Sequence, residues 1–184
     1  MSSPLVSFCV CTYNQENFIS QAIDGALCQI YDNIEKTKLE EAQDQIMLWG
    51  QTYQLVISYG RFKYEMIENQ VMVSSTKTDI HLIKKQIYLN EMKKGLLSLE
   101  DQVNQTISTK GLKPCPFKFK YLKSKFGSYH RKNKEITLNT FLARLNPIYL
   151  EYVIYHEYAH AIVFNHSKDF YNLLEEFMPN HRVY

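Results

Sequence analysis

The sequence predicts an α+β fold in which a small, mostly antiparallel sheet packs on helices, and three observations predict it. Short runs rich in β-branched and aromatic residues cluster between residues 48 and 73 and again between 117 and 139. Residues 79–107 carry apolar side chains at helical spacing. Residues 147–164 are apolar almost all round, as a helix enclosed in a core is. A chain of 184 residues with 45% hydrophobic content can bury one sizeable core, so one main domain is expected.

The elements follow in order. Residues 5–11 form a short, largely apolar run that suits a buried strand, and 15–30 have helical spacing through Phe18, Ile19, Ala22, Ile23, Ala26 and Ile30. Residues 35–45 are charged and poor in apolar positions, as a linker or exposed helix is. Two β-like runs, Tyr53–Ile57 and Phe62–Met66, flank Ser58-Tyr59-Gly60-Arg61 and predict a hairpin with Gly60 at its tip. Val71–Val73 predicts a third strand. The long helix over 79–107 runs through Ile80, Ile83, Ile87, Met92, Leu96 and Leu99, with Gly95 as the position that could interrupt it. Gly111 and Pro114–Pro116 then break the chain. Phe117–Tyr121 alternates strictly, with aromatics on one face and lysines on the other, and Glu135–Asn139 is a further strand. Pro147 suits the first position of the helix over 147–164. A last helix over 168–178 stops before Pro179.

Composition excludes more than it selects. A net charge of +2 argues for no particular partner, and the aromatic content of 14% lies well outside the disordered range. Cys9, Cys11, Cys28 and Cys115 have neither zinc-knuckle nor redox-pair spacing, which fits a reducing compartment better than a disulfide framework. The opening residues lack the basic and apolar regions of a signal peptide, and no run of about 18 apolar residues predicts a membrane helix. A cytoplasmic location is therefore expected.

The chemistry is concentrated in Tyr155-His156-Glu157-Tyr158-Ala159-His160, an H-E-x-x-H pattern. Residues four apart share one helix face, about 6 Å apart, so both imidazoles can reach one metal ion. Glu157 is rotated away from that line, close enough to hold a zinc-bound water and take its proton. The pattern alone also arises by chance. Its setting argues against chance, because Leu150, Val153, Ile154, Ala161 and Ile162 enclose it in an apolar helix where two unsatisfied histidines would be costly. His166 is the expected third ligand. On an unbroken helix it would point about 120° away from His160 and lie about 9 Å further along. The helix is therefore expected to end near Phe164, with Asn165 in the left-handed conformation. Glu175 and Glu176 on the last helix are rival third ligands. Tyr158 and Tyr129 are candidates to stabilise an oxyanion, and the strand 135–139 is a candidate edge for an extended substrate.

Residues 121–179 resemble the YgjP-like metal-dependent hydrolase family, which is related to the SprT-like and WLM minimal metalloproteases. The resemblance rests on Lys123-Ser124-Lys125-Phe126-Gly127-Ser128, Ile136-Thr137-Leu138-Asn139, His156–His160 and Asn165-His166-Ser167-Lys168-Asp169-Phe170. Weaker similarity extends back to about residue 45, through Leu48-Trp49-Gly50 and Tyr53. It implies a zincin-like minimal metallopeptidase fold, one Zn2+ held by His156, His160 and His166, and Glu157 as catalytic acid/base. Phe126 stands where the family usually has Trp, and Tyr129 where it usually has Cys.

Residues 4–35, from Pro4-Leu5-Val6-Ser7-Phe8-Cys9-Val10-Cys11-Thr12-Tyr13-Asn14 to Tyr31-Asp32-Asn33-Ile34-Glu35, resemble the opening strand and helix of a family-2 glycosyltransferase. The second strand with its acidic end and the D-x-D metal site of such enzymes do not follow, so no glycosyl transfer is expected. The expected division is a remnant or appended strand-helix unit over 1–35 and a hydrolase domain over 36–184. Every charged residue from Lys113 to Lys134 is basic, with aromatics interleaved. That suits either a solvated strand face that discourages edge pairing or a patch for nucleic acid or nucleotide phosphate. The expected function is zinc-dependent hydrolysis of a peptide or protein. The alternatives are a nucleoside triphosphate pyrophosphatase using the same metal site and a non-catalytic nucleic-acid-binding module.

Overall fold

The computed structural model describes residues 44–179. The strand and helix expected within residues 1–35, and the boundary after them, lie outside the described residues.

The first strand is short because a tight turn ends it. β1 (Gln45–Leu48) and β2 (Gln51–Tyr59) are joined by Trp49 and Gly50, both at positive φ (52° and 82°), as a two-residue hairpin turn of matching twist requires. A tryptophan is held in that conformation by its bonds. Its amide donates to the Ala143 carbonyl at 2.8 Å, and its indole nitrogen donates to Glu91 Oε2 at 2.8 Å. β3 (Lys63–Ile67) and β4 (Gln70–Ser75) complete a sheet of order β1-β2-β4-β3.

The hairpin expected across Ser58–Arg61 does not form. β2 pairs in parallel with β4, and β3 lies antiparallel on the far side of β4. Gly60 carries the chain past the end of β4, its amide donating to the Ser75 carbonyl at 3.3 Å, and the hairpin turn is instead Glu68–Asn69. Burial explains the exchange. β4 supplies Val71 and Val73, which are fully covered, so it takes the centre, and the more exposed β2 and β3 flank it.

α1 (Ile80–Ser108) is capped by the Asp79 carboxylate, which accepts from the His81 amide at 2.8 Å. It passes through Gly95 without a break. A Cβ there would lie 2.9 Å from both the Trp49 ring and Leu150 Cδ2, so the glycine lets the helix approach its neighbours. The first half of α1 covers the first sheet through Ile83 and Ile87, and its second half packs Met92, Val103 and Ile107 into a larger core. Trp49 and Tyr88 touch both clusters.

β5 (Phe117–Lys120), β6 (Gly127–His130) and β7 (Glu135–Asn139) form a second sheet of order β5-β7-β6. Its topology repeats that of β2-β4-β3: the third strand lies between the first, to which it is parallel, and the second, to which it is antiparallel. Antiparallel pairings outnumber parallel ones, as expected, but the strands divide between two sheets. A 3₁₀ turn (Thr140–Arg144) leads to α2 (Pro147–Ala159), whose N-cap Asn146 accepts from the Ile148 amide. α3 (Lys168–Phe177) closes the larger core with Phe170, Leu174 and Phe177.

Glu91 joins the two halves. It is 2% exposed and accepts from Trp49, from the Tyr64 hydroxyl at 2.6 Å and from Lys94 Nζ at 2.8 Å. Burial alone would raise its pKa, but the hydrogen bonds from Lys94, Tyr64 and Trp49 outweigh it and hold the carboxyl below its ordinary value. Burial, with the bond to Glu91, pushes the Tyr64 phenol up to about 12. A depressed folded pKa gives stability that is present above the ordinary carboxylate value and lost as pH falls through the lowered one. Glu91→Gln is expected to cost about 1–3 kcal/mol at neutral pH, because its three donors lose their charged acceptor. The mutant should also lose less stability than the wild type between pH 6 and the acid limit of folding. Chemical denaturation across pH checks this, and an undiminished acid loss in the mutant would refute it.

Candidate metal centre

α2 places His156 and His160 on successive turns of one face. Its hydrogen-bonded turns end at Ala159, earlier than the end expected near Phe164, and His160 serves as C-cap. The chain then tightens. Ala161 donates to Tyr158, and Ile162 and Val163 donate to Ala159, all at 2.9–3.0 Å. These short-range bonds satisfy the last carbonyls, so no left-handed residue is needed. Among the described non-glycine residues only Trp49, Glu68 and Lys134 have positive φ, and Asn165 does not. The Ser167 amide donates to the Asn165 carbonyl at 2.8 Å and turns the chain into α3.

This path returns His166 to the other two histidines. His166 Nε2 lies 3.1 Å from His156 Nε2, and one ring nitrogen from each of the three falls within 4.8 Å of the others. Two imidazole nitrogens on one tetrahedral zinc stand about 3.4 Å apart, so the spacing suits a shared cation. The remaining atoms help. His160 Nδ1 lies 3.2 Å from the Val163 carbonyl, and a proton held there leaves Nε2 as the ligating atom. Phe170, fully buried, underlies all three rings at centroid distances of 4.9, 4.6 and 4.7 Å. Tyr171 stacks on His166. Burial, reinforced by the neighbouring histidines, pushes the His156 imidazole down to about 3, and burial also lowers His160. Both are thus kept in the neutral form that binds metals.

Glu157 is buried beside this group, against β6. A Cβ added at Gly127 would lie 2.6 Å from Glu157 Oε1 and 2.8 Å from both Glu157 Cγ and Val153 Cγ1. Only glycine lets the strand approach this closely. The histidines and Glu157 open on a cleft of about 650 Å3 that is also lined by Lys125, Phe126, Ser128, Tyr129, Arg131, Tyr152, Phe164 and Tyr171.

A family model described as "YgjP-like, metallopeptidase domain" matches residues 14–184. The chain belongs to the YgjP-like family. The YgjP-like chain is 37% identical over 67 residues to an uncharacterized glycosyltransferase of Rickettsia felis, a match covering 36% of this chain and 11% of that protein. A second uncharacterized glycosyltransferase, from Rickettsia bellii, matches at the same identity and length over 9% of its chain. The chain thus covers about a tenth of the length of these curated relatives. It is also similar to the crystal structure of the metallopeptidase zymogen of Pyrococcus abyssi abylysin, with 25% identity and a TM-score of 0.40 over 46% of this chain and 83% of that one. The metallopeptidase zymogen of Methanocaldococcus jannaschii jannalysin matches with 24% identity and a TM-score of 0.38, over 46% and 86%.

Several candidate residues of the YgjP-like domain lie elsewhere than the sequence suggests. Glu176 pairs with Lys110 Nζ, and neither it nor Glu175 belongs to the histidine group. Tyr158 faces the core, its hydroxyl accepting from the Cys115 amide and its ring edge-on to Phe117, whereas Tyr129 lines the cleft. β7 cannot offer a free edge, because β5 and β6 occupy both its sides; the outer strand at the cleft is β6. The basic stretch is divided too. Lys118 pairs with Glu135 at 2.7 Å, while Lys125 and Arg131 reach the cleft. No helix among the described residues is long and apolar enough to cross a membrane.

Proposed function

We propose that this YgjP-like domain is a zinc-dependent peptidase, with His156, His160 and His166 as ligands and Glu157 as general base. The supporting observation is the convergence of three imidazole nitrogens within 4.8 Å beside a buried carboxylate. When bound, zinc, the usual choice of an all-imidazole site, lowers the pKa of water to about 7 and polarises a carbonyl. The protein's own groups supply the rest. The Glu157 carboxylate accepts the proton of the attacking water and returns it to the departing amine. Phe170 keeps water from beneath the imidazoles, and the outer edge of β6 offers backbone donors and acceptors to an extended peptide. Tyr129 stands in the cleft where a phenol can meet developing negative charge.

Purified chain is expected to carry zinc in stoichiometric amount and to cleave casein. Dialysis against a chelator should remove both properties, and added zinc should restore them. Phosphate release from nucleoside triphosphates without peptide cleavage would replace this function with the pyrophosphatase alternative. Salt-sensitive nucleic-acid binding that survives metal removal, again without peptide cleavage, would favour the binding module.

A further inference from the structure

Charge on the cleft wall bears on which peptides enter it. Among its lining residues Glu157 is the single acid, whereas Lys125 and Arg131 are both present. The two cations bracket β6, one on each side of Gly127–His130. Gly127, the first residue of β6, is the position that faces Glu157. Lys125 Nζ donates to the neutral Ser128 Oγ at 2.9 Å, so its charge stays uncompensated. The Arg131 guanidinium lies 6.0 Å from the centre of the ring of Phe164, which also lines the cleft on the segment between α2 and His166. At about 3.3 Å per residue, the edge of β6 between the two cations spans about 13 Å, or roughly four residues of an extended peptide.

Resting on the peptidase function, we propose that the cleft selects peptides carrying acidic side chains on both sides of the scissile bond. Lys125 receives one and Arg131 the other. Glu157, opposite Gly127, sets the cut between them. Lys125 and Arg131 are specificity residues that leave the chemistry to the histidines and Glu157, and their attraction acts through partly exposed charges and weakens with salt.

The test uses the full zinc-loaded chain and quenched peptides that carry Asp or Glu, or their amide counterparts, two or three residues either side of the cut. The acidic peptides should show about tenfold higher kcat/KM at low salt, the sum of two exposed ion pairs, and the margin should shrink at high salt. Lys125→Glu with Arg131→Glu should invert the preference toward lysine-bearing peptides, and Lys125→Arg with Arg131→Lys should keep it. Equal cleavage of acidic and amide peptides by the wild type overturns the proposal and leaves the peptidase function standing. Absence of any peptide cleavage overturns both. An acidic preference that survives the charge reversal overturns the assignment to these two residues.

Discussion

Glu157→Gln is expected to abolish peptide hydrolysis while leaving the metal in place. The amide keeps the size and burial of the glutamate but cannot take a proton from water, so turnover should fall by about 10²–10⁴. Because Glu157 is not one of the three converging residues, zinc content should match that of the wild type. Elemental analysis and peptide kinetics on the same preparation check both halves. Loss of zinc with activity would make Glu157 a ligand or a structural support, and retained activity would remove it from the mechanism.

The second large effect is expected far from the motif in sequence. Gly127→Ala places a methyl group 2.6 Å from Glu157 Oε1 and 2.8 Å from Val153 Cγ1, distances that neither neighbour tolerates. Either β6 moves away from α2 or the carboxylate turns out of place, and a misplacement of about 1 Å costs about 10²-fold in rate. The histidines lie on α2 and the turn after it, so zinc binding should persist. The expected signature is therefore a metal-loaded, folded protein with kcat depressed much as in Glu157→Gln. A full-rate Gly127→Ala enzyme would show that Glu157 does not work from where it stands.

Legibility varied with the range of the forces involved. The long helix, the Asn146–Pro147 helix start and the end before Pro179 follow from local periodicity and capping, whereas the unbroken passage through Gly95 depends on its packing against Trp49 and Leu150. The hairpin failed because local turn residues cannot say which strand is most apolar and will claim the sheet centre; β4 did. The same limitation made the buried strand β7 look like an edge. At the site, His156 and His160 were readable because their spacing is a property of one helix. His166 was readable as a residue, but the path that returns it was not. The helix ends at Ala159 through tight backbone bonds that leave no residue-type signature. Phe170 and Gly127 offered only their places in the two stretches that carry the family resemblance, Asn165–Phe170 and Lys123–Ser128.

The sequence by itself therefore picked out the residues that the fold groups together: three imidazoles, and a carboxylate one residue out of their line. Only the tertiary structure decided what surrounds that set. It placed β6 against Glu157, Phe170 beneath the rings, Lys125 and Arg131 on the cleft wall, and Tyr158 away in the core. The division has a physical reason. Helical spacing is fixed by backbone hydrogen bonds between near neighbours, whereas sheet order and cleft lining follow from competition for burial among segments far apart in the chain.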